Sequence, residues 1–146
     1  MTEERHVDPT RASFDAFKAL PRNTPIEMLN LVRFRDRAMY PDGHSHANRG
    51  LTGAEAYLEY GRTSEPIFTR VGGRTVWSGK MEAVLTGPGD ERWDRAFIAH
   101  YPNASAYLAM IVDPAYKLAV VHRQAAVLTS RLIRFAPLQP GVGFAE

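Results

Sequence analysis

The chain has 146 residues, 45% of them hydrophobic, and a formal net charge of +2, which suits one globular domain over residues 1–146. It has no cysteine, which excludes a disulfide framework, a thiolate metal centre and a cysteine nucleophile. Fifteen of its eighteen basic residues are arginine, a side chain that grips anions, but sixteen acids are spread among them with no run of five like charges, so nucleic acid is not an expected partner.

The opening stretch MTEERHVDPT is charged and carries no apolar leader, and no later run approaches about eighteen consecutive apolar residues, so a soluble cytoplasmic protein is expected. Over residues 10–20, Phe14, Phe17 and Leu20 recur at helical spacing behind a Thr10 cap, and Pro21 ends this leading helix. The run IEMLNLVRF, residues 26–34, is apolar apart from Glu27, Asn30 and Arg33 and fits a central strand. After a turn-rich loop, Thr52 caps a helix that Pro66 is expected to break before a final turn. Residues 72–87 open on a glycine turn and read as a strand with a bulge at Gly79; GPGDE, 87–91, reads as a hairpin turn, and residues 92–102 as a third strand. A second helix interrupted by Pro114 follows, then a strand ending in LTSRLIRFAP and a tail over 137–146.

Helix, strand, helix, strand, strand, helix, strand is the split βαβ order of the ferredoxin-like α+β fold with an extra leading helix. Right-handed crossovers put the first and third strands at the centre of a four-stranded antiparallel sheet with the helices on one face. The other face is left bare, and a homodimer through that sheet face is the expected remedy.

The segments MLNLVRFRDRAMYP, GAEAYLEYG, VGGRTVWSG, RWDRAFIAHYP and DPAYKLAVVHRQAAV, in that order, resemble the DUF1330 family of the dimeric α+β barrel superfamily. The likeness covers about residues 25–135. It implies a ferredoxin-like core over about 25–136 and a dimer whose sheets pack into a barrel. The superfamily includes monooxygenases that use neither metal nor flavin, lactone isomerases, haem-degrading enzymes and chlorite dismutase, so the resemblance implies a fold more sharply than a reaction.

In the helix that begins at Asp113, counting from Ala115 puts Leu118, Ala119, His122, Ala125 and Ala126 on one inward stripe. His122 is therefore either a core histidine satisfied by a neighbour or a general base beside a pocket. Arg123 sits at the edge of the stripe with Tyr116, either as a boundary arginine or as an anion clamp, and the resemblance implies a recurring arginine in this helix. Asn30 and His100 lie on neighbouring strands and are expected to share a sheet face, bonding each other or flooring a pocket under His122. Tyr57, Tyr60 and Trp77 are candidate aromatic walls, and Tyr116, beside Arg123, is a further candidate for binding a substrate. His44 and His46 form an HxH pair in a loop with no third ligand in sight, so no metal is assigned, and no cofactor is expected.

Two readings of function stand. One is a cofactor-independent enzyme, monooxygenase-like or isomerase-like, acting on a small anionic or aromatic molecule with His122, Asn30 and His100 catalytic and Arg123, Tyr60, Trp77 and Tyr116 binding the substrate. The other is a non-catalytic small-ligand-binding or structural dimer, and haem ligation by His122 is a lesser variant of the first. RNA binding lacks the paired aromatic signature on the strands.

Overall fold

The structure, a computed structural model, describes residues 4–145. Residues 1–3 and 146 of the expected domain lie outside the described residues.

Helix α1 (Arg11–Ala19) starts in a capping box between Thr10 and Ser13. Strand β1 (Ile26–Phe34) runs over the apolar stretch predicted for it. Helix α2 (Gly53–Arg70) begins in a second capping box, Thr52 with Glu55, with contacts of 3.0 and 3.1 Å; such a cap is worth about 1 kcal/mol. Pro66 sits inside α2 without ending it. Pro66 and Arg62, whose carbonyl loses its donor, are both exposed, so water can take the place of the missing N–H.

Strand β2 spans only Arg74–Gly79, shorter than the sequence suggests, and its register shift falls between Thr75 and Trp77 rather than at Gly79. Gly79 is instead a packing glycine: a Cβ there would lie 2.6 Å from the Trp77 ring. A loop over 80–94, which includes GPGDE, leads to β3 (Arg95–Tyr101). The interrupted helix is two helices, α3 (Ala104–Val112) and α4 (Pro114–Ala126), bent by 84° at Asp113. Strand β4 (Val127–Phe135) follows directly. Among the described residues no single helix is long and apolar enough to cross a membrane.

The sheet order is β2-β3-β1-β4, with every pairing antiparallel. With α2 and the α3–α4 pair as the two crossovers, this is the ferredoxin-like α+β topology. Most of its buried apolar residues fall into two clusters at opposite ends of β1. One gathers Ile26 and Met28 with Ile67, Met110 and Tyr116; the other gathers Val32 with Ala56, Ala126 and Val127. Asn30 lies between them, and Phe97 packs against both.

Two arginines tie the N-terminal segment to this frame. The Arg134 guanidinium sits 4.9 Å from the Phe17 ring centre and donates to the Pro21 carbonyl at 2.6 Å, holding α1 against β4. Arg123 donates to the Val7 carbonyl at 2.5 Å and to the Ser130 hydroxyl at 3.1 Å, and Ser130 in turn donates to the His6 carbonyl at 2.8 Å.

Candidate functional site

Asp113 begins α4 by accepting from the Ala115 N–H at 2.8 Å and pairing with Arg70, and Pro114 stands at the first helical position, where no donor is lost. The buried face of α4 is Tyr116, Ala119, His122, Ala125 and Ala126. This corrects the expected stripe at its start. Leu118 is 74% exposed and Tyr116 takes the inward position, because α4 packs chiefly against α2, which turns it away from the phase counted from Ala115.

Helices α2 and α4 make their main contact with one another rather than with the sheet. Over the middle of β1 the helix layer stands off, and a cavity of about 1370 Å³ remains. Tyr57, Tyr60 and Tyr116 line it from the helices, and Asn30, Phe97 and Arg95 from the sheet. The Tyr60 and Tyr116 hydroxyls hydrogen-bond at 2.8 Å. Burial raises the pKa of Tyr57, Tyr60 and Tyr116 above the usual phenol range, so all three stay neutral and keep a proton to donate. Asn30 donates to the Met28 carbonyl at 3.1 Å. Among the described residues no carboxylate stands at ion-pair distance from Arg95.

The structure separates most of the residues the sequence analysis grouped. Asn30 and His100 lie on opposite faces of the sheet: Asn30 is registered with Phe97, whereas His100 pairs with Glu27, and alternation sends neighbours to opposite sides. His100 Nδ1 lies 3.1 Å from Glu27 Oε2 on the face away from the helices. Trp77, 51% exposed and registered with Ile98, is on that same far face and is no wall of the cavity. Arg123 lines the cavity, but its guanidinium is already engaged by Val7, Ser130 and, at 4.0 Å, Asp8. Tyr57, Tyr60 and Tyr116 all line the cavity.

His122 is not in the cavity lining. It is 8% exposed and faces the loop between β1 and α2, where Nδ1 lies 2.7 Å from the Tyr40 hydroxyl. The His46 ring centre is 4.9 Å away and that of His44 5.6 Å. From α2 the Glu59 carboxylate joins this group, 3.9 Å from His46 Nε2 and 2.6 Å from Arg62. Sequence reading missed Tyr40 and Glu59. Neither stands at a motif spacing, and only the fold of the loop onto α2 and α4 brings them in.

Burial lowers the His122 pKa below its ordinary 6.5, the neighbouring His46 and His44 and the Arg62 charge lower it further, and Glu59 opposes them. The unfolded chain therefore binds this proton more readily than the folded one. Stability from this group is complete above pH 6.5 and is lost as pH falls below it. Urea titrations should give a lower midpoint at pH 5 than at pH 7.5, with a shallower pH dependence in His122→Gln. An equal dependence in the variant would remove His122 as the cause.

Topology and cavity together define a ferredoxin-like α+β protein with a hollow between its helices and sheet. Residues 46–134 match the Domain of unknown function (DUF1330), and the chain belongs to that family. It is similar to a protein of unknown function from Rhodopseudomonas palustris, with 55% identity over 94% of this chain and 100% of the other and a TM-score of 0.86. An uncharacterised NIPSNAP-like domain protein from Burkholderia xenovorans, 14% identical over 83% of this chain and 91% of the other, has a TM-score of 0.51, a likeness of fold alone. No curated protein matches the chain.

Proposed function

We propose that this protein binds a small, largely apolar or aromatic anion in the cavity between its helices and sheet, and works as a homodimer through the bare sheet face. The cavity carries this reading. Its walls include Tyr57, Tyr60, Tyr116 and Phe97, and Arg95 is at hand for a carboxylate or a similar group. Three neutral tyrosines and Asn30 offer hydrogen bonds for orientation. Binding is favoured over the enzymatic reading because His122 and His100 stand outside the cavity, away from Asn30.

The second copy is supported by the face opposite the helices, where Leu29 lies in register with Ile98 and Ile133, Ile98 with Trp77, and Leu31 stands on the same face; Trp77 and Ile133 are 51% and 41% exposed. A contiguous apolar sheet face of this kind favours self-association.

Anilinonaphthalene sulfonate, an aromatic anion, tests the cavity. It should bind saturably, and Gly61→Trp should abolish the fluorescence rise. Gly61 lines the cavity, and a Cβ there meets nothing within 4 Å, so the indole fills open space without disturbing α2. Arg95→Gln should weaken binding about tenfold, equivalent to roughly 1.4 kcal/mol. Unchanged binding in Gly61→Trp would overturn the assignment.

A further inference from the structure

We infer that His46, Glu59 and His122 form a binding site for a divalent transition metal, with zinc the best match to this donor set. The site is separate from the cavity and its test is independent of the ligand reading. One donor atom from each residue lies within 4.8 Å of the other two, and His46 Nε2 and Glu59 Oε2 are 3.9 Å apart. A tetrahedral zinc with bonds of about 2.0–2.1 Å has ligand edges of about 3.4 Å, so small side-chain rotations close the site.

The surroundings of these three residues are those of metal ligands. Ligating histidines commonly donate the other ring N–H to an outer group, which fixes the tautomer. His122 Nδ1 stands 2.7 Å from the Tyr40 hydroxyl and His46 Nδ1 stands 3.1 Å from the Ser45 hydroxyl. In the tautomers that donate these protons, both Nε2 atoms keep a free lone pair. Arg62 holds the third ligand, donating to Glu59 Oε2 at 2.6 Å. Each donor thus has its own outer partner, contributed by a different residue.

His44 has another task. Its Nδ1 accepts the His46 N–H at 3.0 Å, and its ring stacks on Tyr40 at 4.7 Å, so it shapes the loop that carries His46. Access and affinity are both provided for. The His122 imidazole is buried, while the His46 and Glu59 side chains keep 18% and 26% exposure, leaving a path for the ion. Two imidazoles and one carboxylate match the three-ligand zinc sites that keep a fourth position for water. The donors are divided between a loop and two helices, so the ion would cross-link elements far apart in the chain.

The experiment is a titration of the chelator-treated full chain with Zn²⁺ against a chromophoric competitor, repeated with His46→Ala and Glu59→Gln. His46 lies in a half-exposed loop, so its truncation leaves the packed helices in place even where a His122 variant would not fold. One Zn²⁺ per chain is expected, with affinity lower by at least about tenfold in each variant. Co²⁺ should give the visible absorption of a four-coordinate nitrogen and oxygen site in the parent chain, reduced in both variants. Absence of saturable binding at one ion per chain would overturn the inference, and so would a loss smaller than tenfold in both variants.

Discussion

Gly53→Ala should be among the most damaging single substitutions in this protein. A Cβ at Gly53 would lie 2.0 Å from the Arg35 carbonyl oxygen and 2.8 Å from both the Arg35 nitrogen and the Ala126 carbonyl oxygen. All three are backbone atoms, so no side chain can swing aside. They also belong to one hydrogen-bonded junction, in which Gly53 N–H donates to Arg35 at 3.1 Å and Arg35 N–H donates to Ala126 at 2.8 Å. Next to it, Met39 N–H donates to the Ala125 carbonyl at 2.9 Å, which fixes the start of the loop bearing Tyr40, His44 and His46. Pushing Arg35 away therefore separates the end of β1 from α2 and α4 together.

Overpacking commonly costs about 1–3 kcal/mol, and a clash with backbone lies at the top of that range or above it. At roughly 3 °C per kcal/mol for a chain of this size, the melting temperature should fall by about 10 °C. Gly61→Ala is the matched control. It is in the same helix, its Cβ meets nothing within 4 Å, and its melting temperature should rise, because alanine is favoured over glycine in a helix interior by about 1 kcal/mol. Equal melting temperatures for Gly53→Ala and the parent would show that the junction is soft.

Leu31→Arg should convert the proposed dimer into a monomer. Leu31 lies on β1 between Ala96 of β3 and Arg131 of β4, on the face away from the helices. In an isolated subunit an arginine there can run along the sheet and put its head in water. In a two-fold dimer the same change occurs twice across one interface, and each uncompensated buried charge costs about 3–5 kcal/mol. The dissociation constant should rise by several orders of magnitude. Light scattering would then report 16.3 kDa for the variant and twice that for the parent. The far-ultraviolet circular dichroism should stay unchanged, which separates loss of association from loss of fold. A parent chain that is monomeric at micromolar concentration would remove the second copy from the proposal.

Local patterning was sufficient for much of this molecule. The mostly apolar run over Ile26–Phe34 fitted a central strand, and Asp113 followed by Pro114 marked the start of α4 at the residue where it occurs. The order of the elements led directly to the observed sheet order. What failed were statements about convergence. Asn30 and His100 each alternate as expected along their own strands, yet the register of β1 with β3 puts them on opposite faces. Leu118 is exposed and Tyr116 buried because the packing of α4 on α2 sets the helix rotation, which spacing within α4 leaves open. Pro66 did not end α2, because the Arg62 carbonyl that it leaves without a helical donor lies on an exposed turn.

The candidate sites follow the same division. His44 and His46 were visible as a pair, and His122 as an inward polar residue, but nothing in their spacing linked them. The junction at Gly53 folds the loop back, and α2 brings Glu59 to within 3.9 Å of His46. The cavity too is a property of layers: it exists because the helices grip each other more closely than they grip the sheet. Elements and their order come from interactions among near neighbours in the chain, so the sequence by itself determines them. Sites form where register, helix rotation and loop closure bring distant residues together, and only the tertiary structure decides those.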